Sequence, residues 1–138
     1  MNFTGVNYVA IVVAAVAAFV FGAIYYGVLS KPWMKAARIK PKSGGGGGMA
    51  MPPPALLINS IVCELIMAWV LAAVLVSTGS AGIAAAITAA FFLWLGFIAT
   101  TISVNQRYQS YGWDLTVIDA IHWLGVALIM GIILGWWS

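Results

Sequence analysis

Few side chains in this sequence could do chemistry, and most of those that could lie inside long apolar segments. The only histidine, His122, follows Asp119 at a spacing of three residues, which places both side chains on one face of a helix. A further carboxylate, Glu64, lies inside another apolar segment. Because ionisable groups are costly within a membrane span, these three residues form a candidate functional site.

Several interpretations of these polar groups remain open. The first is an internal network that fixes helix packing, in which Arg107 pairs with Asp119 or Glu64 and His122 donates to a carboxylate. The second is an inward-open site that binds a proton, a small cation or a polar ligand, or that ligates a divalent metal. The third is contact between His122 and a pigment or haem. The full predicted polar cluster is Tyr25, Tyr26, Glu64, Thr100, Arg107, Asp119 and His122.

The sequence lacks common motifs of hydrolases and transferases. It has no phosphate loop, no His-Glu-x-x-His run and no Ser-His-Asp arrangement. His122 with Asp119 is only a candidate general base and its orienting partner. An enzyme is therefore the third choice, after a structural role and a binding role.

The composition predicts an integral membrane protein. Of the 138 residues, 64% are hydrophobic and only 7% are charged, whereas a soluble domain carries about 25% charged residues. A water-soluble fold of this composition would expose large apolar patches. The net charge of +3 does not indicate nucleic-acid binding, because five of the six basic residues lie in one short loop beside an apolar segment.

Four apolar segments are long enough to cross a bilayer. Each has about 22 residues, or roughly 33 Å as a helix, against a hydrocarbon core of about 30 Å. The sequence therefore predicts an all-α integral membrane protein, a four-transmembrane-helix bundle that forms one domain. The predicted spans are residues 8–29, 55–76, 83–104 and 115–137, with a basic, glycine- and proline-rich loop at 30–54 that is flexible at its glycines, 44–48.

The distribution of Lys and Arg predicts how the spans are oriented. All six lie in the first and third connections, and none lies in the second connection or near a terminus. The positive-inside rule then places both termini outside and the basic loops in the cytoplasm, facing anionic lipids. The side chains predicted to lie at the two interfaces are Lys31, Trp33, Lys35, Arg38, Trp136 and Trp137.

This orientation confines the predicted polar cluster to the cytoplasmic half of the bundle. The outer half has almost no polar side chains, so a pore through one monomer is disfavoured. No predicted span has an internal proline, so alternating access through broken helices is disfavoured as well. What remains is packing between helices or a pocket that opens to one side only.

Small residues at helical spacing predict close helix packing. They are Ala15, Ala18 and Gly22 in the first span and the pair Gly131 and Gly135 in the last. The short turn at 77–82 predicts that spans two and three are antiparallel neighbours. Asp114 is predicted to cap the last helix. These small-residue faces favour a structural or accessory subunit, in a homo-oligomer or a larger membrane complex.

Several short motifs resemble a family of small bacterial membrane proteins of unknown function, DUF1761. Membership implies four membrane-spanning helices and a bacterial inner membrane, and it implies no chemistry because the family has no assigned activity. The motifs that carry the resemblance are Gly22-Ala-Ile-Tyr25-Tyr26-Gly27, Lys31-Pro-Trp33-Met34-Lys35, Phe92-Leu-Trp94-Leu-Gly96 and Gly131-Ile-Ile-Leu-Gly135-Trp136.

Overall fold

Helices make up nearly all of the computed structural model of the protein, which describes residues 2–40 and 51–138. Four helices are long and apolar enough to cross a membrane, and a short helix, α2, follows the first of them. The all-α fold class is confirmed, and the described ranges contain no strand. The predicted flexible glycines lie outside these ranges. The helices are α1 (Tyr8–Val28), α2 (Ser30–Ala36), α3 (Pro54–Thr78), α4 (Ile83–Tyr108) and α5 (Trp113–Trp136).

The four long helices pack in the order α3–α1–α5–α4. The turn that joins α3 to α4 is tight, and Gly79 and Gly82 adopt positive φ angles of 65° and 84° within it. Nevertheless, α3 and α4 make few contacts with each other, because α3 packs mainly on α1 and α4 mainly on α5. A short turn brings only the ends of two helices together, and the faces with the smallest side chains determine which helices pack along their length.

Small residues line the two closest helix contacts. Ala15 and Ala18 on α1 are completely buried, and Gly22 lies on the same face. On α5, a Cβ atom added to Gly135 would lie 2.8 Å from Ala86 Cβ of α4, and one added to Gly131 would lie 3.1 Å from the carbonyl oxygen of Ala86. The backbones of α4 and α5 therefore approach closely only because these positions are glycine.

The bundle has two distinct ends. At the terminal end, Asn2 N donates to Ser77 Oγ at 2.7 Å, and Gly82 N donates to Ser138 Oγ at 2.8 Å. At the basic end lies α2, where Arg38 donates to the carbonyl oxygen of Ser110 at 2.6 Å. Both chain termini thus lie at one end of the bundle, and the described basic residues lie at the other.

An irregular turn interrupts α4. Residues Trp94–Ala99 are π-helical, and the indole Nε1 of Trp94 donates to the carbonyl oxygen of Ala120 at 2.9 Å. The hydroxyl of Thr100 donates to the carbonyl oxygen of Gly96 at 2.8 Å. The Thr100 hydroxyl thereby gives the irregular turn a side-chain partner, which backbone groups loosened from a regular helix need in lipid. The helix then continues to Tyr108, past the predicted end of the span at residue 104.

The start of α5 differs from the prediction. The capping residue is Gly112, and Asp114 lies in the first turn of the helix rather than at its N-cap position. The predicted cap was therefore wrong by two residues. A carboxylate in the first turn still interacts favourably with the positive end of the helix dipole, so the acid has a physical reason to be there.

Candidate functional site

Asp119 is the centre of a hydrogen-bond cluster near the basic end of the bundle. Its Oδ1 accepts from the Tyr26 hydroxyl at 2.9 Å and from the Trp33 indole Nε1 at 3.1 Å. Its Oδ2 accepts from Gln106 Nε2 at 2.8 Å. The three donors come from α1, α2 and α4. One side chain of α5 therefore links three other helices. Hydrogen bonds that an ionised carboxylate accepts are stronger than those between neutral groups.

The cluster extends from Asp119 to Arg107 through two neutral side chains. Thr116 Oγ donates to Gln106 Oε1 at 2.7 Å and accepts from the Arg107 guanidinium at 2.5 Å. The same guanidinium donates to the carbonyl oxygen of Gly112 at 2.8 Å. Among the described residues, Arg107 therefore reaches Asp119 through Thr116 and Gln106, not by direct pairing. We call this set the Asp119 network: Tyr26, Trp33, Gln106, Arg107, Thr116 and Asp119.

His122 lies one turn further along α5, in an enclosure of aromatic rings. Its ring centroid is 4.6 Å from that of Tyr26 and 6.0 Å from that of Phe21, which stacks nearly parallel to it. Its Nε2 faces α1, where a Cβ atom on Gly22 would lie 2.9 Å away. Its Nδ1 is buried and has no hydrogen-bond partner in the described part of the chain. A haem or pigment would have to displace this aromatic wall to reach the imidazole.

Glu64 lies apart from the Asp119 network, on the buried face of α3. The residue is 4% exposed, and its Oε2 has no hydrogen-bond partner among the described residues. The nearby hydroxyl of Ser60 does not bind it, because Ser60 Oγ donates to the carbonyl oxygen of Leu56 at 3.0 Å. Glu64 is therefore a buried acid with an orphaned oxygen atom.

The structure divides the predicted polar cluster into separate parts. Tyr26, Arg107 and Asp119 belong to one network, and Tyr25 adjoins it by donating to the carbonyl oxygen of Ile118 at 2.8 Å. Thr100 is exposed on α4 and binds its own helix. Within residues 2–40 and 51–138, no group of three His, Cys, Asp or Glu side chains comes together that could hold a metal ion.

Sequence reasoning missed Gln106, the residue that links both halves of the Asp119 network. The predicted third span ends at residue 104, which leaves Gln106 outside the helix. The structure places it on α4 with only 9% of its surface exposed. Extending the helical pattern of α4 by one turn, which keeps Gln106 three residues after Ser103, would have placed it on a helix.

A cavity of about 360 Å³ lies at the terminal end, away from the Asp119 network. Its walls include Ala10, Ala72 and Leu134, so they are largely apolar. Two of its polar groups are already occupied: Ser80 Oγ shares a hydrogen bond with Thr78, and Ser138 Oγ accepts from Gly82 N. The cavity therefore offers little polar chemistry.

A family model described as a protein of unknown function, DUF1761, matches residues 9–135. The chain belongs to the DUF1761 family. The match includes Glu64, Asp119 and His122, and it confirms the resemblance seen in the short motifs. Neither a curated protein nor a solved structure matches this chain. Because the DUF1761 family has no assigned activity, the function of this member has to be argued from its own residues.

Proposed function

We propose that this protein is a structural or accessory subunit that packs, with copies of itself or within a larger complex, in the bacterial inner membrane. The Asp119 network supports a structural role, because both oxygen atoms of Asp119 already accept bonds from the chain's own donors. Such a network holds helices together, and it engages both carboxylate oxygens within the protein.

The observation that carries the proposal is the outer face of α4. In its most apolar window, 11% of α4 residues are buried, against 33% in each of the other three long helices. Its exposed residues include two pairs of small side chains at a spacing of four, Ala84 with Thr88 and Gly96 with Thr100. This spacing lets another helix approach closely in lipid, so α4 is the helix best suited to meet a further subunit.

Association through α4 predicts that a bulky side chain at Gly96 will dissociate the assembly. A Cβ atom on Gly96 meets nothing within 4 Å in the monomer, so Gly96→Leu will fold normally. Overpacking a helix interface costs about 1–3 kcal/mol, which weakens association by about five- to 150-fold. Light scattering of the protein purified in mild detergent measures its mass.

The matched control is Gly27→Leu on α1, because Gly27 is also an exposed helical glycine with nothing within 4 Å of an added Cβ atom. This variant will keep the mass of the unmodified protein. A native protein that is a monodisperse monomer and brings no partner with it would refute the proposed role. Equal dissociation by both variants would show that α4 is not the contact face.

We also propose that both termini lie outside the cytoplasm and that the basic end faces anionic lipids inside. The exposed side chains of Lys31, Lys35 and Arg38 at that end support this orientation, which follows the positive-inside rule. A C-terminal alkaline phosphatase fusion will be active, and a C-terminal green fluorescent protein fusion will be dark. The reverse pattern would overturn the proposed orientation.

A second candidate function is a small transporter or a protein that binds a cation or ligand at an inward-facing site. One observation favours it: Glu64 Oε2 and His122 Nδ1 are both buried without a partner in the described residues. Asp119, the third residue of that predicted site, is engaged by Tyr26, Trp33 and Gln106. The chemistry of this candidate therefore depends on Glu64 and His122.

A further inference from the structure

We propose that Glu64 is a reversible proton-binding site within the membrane, where a bound proton balances the charge of its carboxylate. The inference names the ligand of the second candidate function and rests on it. It does not depend on assembly through α4, so the proton site and the accessory role can fail separately.

Glu64 lies in the interior of α3, away from both ends of the helix. It lies ten residues after the start of α3 at Pro54, about 15 Å along a helix that is about 37 Å long. The residue is 4% exposed, and its Oε2 is fully buried. An isolated ionised carboxylate costs far more to bury than a neutral carboxylic acid, so a site of this kind favours uptake of a proton.

In the ranges that the structure describes, no donor binds Glu64 Oε2 and so replaces the proton. Its helix packs mainly on α1, and the side chains of the buried face of α1 have no polar atoms. The tyrosines near the end of α1 donate elsewhere, Tyr25 to the carbonyl oxygen of Ile118 and Tyr26 to Asp119. The buried face of α1 consists of Ala10, Ile11, Ala14, Ala15, Ala18 and Gly22.

The ionisable groups of the other two long helices are also placed elsewhere. On α4, Arg107 donates to Gly112 and Thr116. On α5, Asp114 accepts from the backbone N–H of Leu115 and Asp119 accepts three hydrogen bonds. His122 lies among aromatic rings, and its Nδ1 has no partner among the described residues. None of these groups forms a hydrogen bond with Glu64 in the described residues.

A proton fits this site better than a metal ion. Zinc requires about four ligands, and calcium or magnesium requires about six or more oxygen atoms. In the ranges that the structure describes, no three potential ligands come together. A proton needs only the carboxyl group itself, which is what α3 provides.

A hydrophobic carbodiimide tests the proposal, because it reacts from the lipid phase with a protonated carboxyl group. The carboxyl proton moves to one carbodiimide nitrogen as the carboxyl oxygen bonds to the central carbon. The acyl group then migrates to the other nitrogen, which leaves a stable N-acylurea and releases nothing. The chain has three carboxylic side chains, Glu64, Asp114 and Asp119, so peptide mass mapping identifies the one that reacts.

We expect a single adduct, on Glu64, in the full chain reconstituted in lipid vesicles. It will decrease as the pH rises, and it will be lost in Glu64→Gln, whose neutral side chain keeps the shape of the acid. The matched control Asp114→Asn, at an exposed position, will keep the adduct. An infrared band of a protonated carboxyl group, absent from Glu64→Gln, will provide a second readout that does not depend on reagent access.

Two results would overturn the proton site. The first is that Glu64 forms no carbodiimide adduct at acidic pH and that the infrared band of a protonated carboxyl group is absent. The other is an adduct on Asp114 or Asp119 that equals the adduct on Glu64. Either result would leave the mass measurements on Gly96→Leu unchanged, so it would not affect the proposed assembly. If Gly96→Leu does not dissociate the assembly, the carbodiimide result is likewise unaffected.

Discussion

Asp119→Ala will lower the free energy of unfolding of the bundle by about 2–5 kcal/mol. The substitution leaves the donors of Tyr26, Trp33 and Gln106 without their acceptor. A side-chain hydrogen bond between membrane helices contributes about 0.6 kcal/mol on average and about 1.7 kcal/mol at most, so three of them give the predicted loss. Unfolding in mixed micelles of increasing dodecyl sulfate, followed by circular dichroism, measures the free energy.

Asp114→Ala is the matched control, because it makes the same substitution on the same helix at an exposed position. In the part of the chain that the structure describes, Asp114 accepts only from the backbone N–H of Leu115, and its contribution through the helix dipole is at most about 1 kcal/mol. If both variants lose the same stability, Asp119 does not hold α1, α2 and α4 against α5, and the structural reading of the network fails.

The four-helix fold could be predicted from the sequence because it depends on length and hydropathy alone. A run of about 20 apolar residues spans the bilayer whatever its neighbours are. The end of α4 could not be placed in this way. The polarity of Gln106 indicates a loop, but its amide group binds Asp119 and Thr116 within the protein, so the helix can continue to Tyr108.

The sequence predicted which site residues share a face of one helix, but it did not predict which residues of other helices they contact. The spacing of Asp119 and His122 places them on one face of α5, yet the first contacts donors from three helices while the second lies against Gly22 of α1. The lateral order of the helices decides what Glu64 meets. Because α1 lies between α3 and α5, α3, which buries Glu64, packs mainly on the helix whose buried face carries small apolar residues. No spacing along one segment encodes that order.

The same helix order explains why Glu64 Oε2 and His122 Nδ1 remain without a partner in the described residues. Arg107 Nε is unpartnered as well, but its guanidinium donates through Nη2. Polar groups buried in lipid usually find a partner, because an unsatisfied group costs several kcal/mol. The donors at the basic end converge on Asp119, whereas Glu64 Oε2 and His122 Nδ1 receive none of them. In the functions proposed above, the Asp119 network provides packing, and Glu64 and His122 provide the binding chemistry.

Gly135→Ala will separate α4 from α5 and lower the free energy of unfolding by about 1–3 kcal/mol. The added Cβ atom would lie 2.8 Å from Ile83 Cα and 2.9 Å from the carbonyl oxygen of Gly82. These are backbone atoms, so the clash cannot be relieved by rotating a side chain, and one helix has to move. Unfolding in dodecyl sulfate micelles measures the loss, and a disulfide trap between cysteines introduced on α4 and α5 reports the separation.

Gly135→Ala is expected to change the free energy of unfolding in the direction opposite to that of a glycine with free space around it. Alanine is a better helix former than glycine by about 1 kcal/mol, so a glycine with free space around it should gain stability when alanine replaces it. Gly27→Ala on α1 provides that control, because nothing lies within 4 Å of its added Cβ atom. We expect Gly27→Ala to be neutral or stabilising and Gly135→Ala to be destabilising. If both substitutions stabilise the protein equally, α5 does not approach α4 at backbone distance, and the close contact between these two helices is disproved.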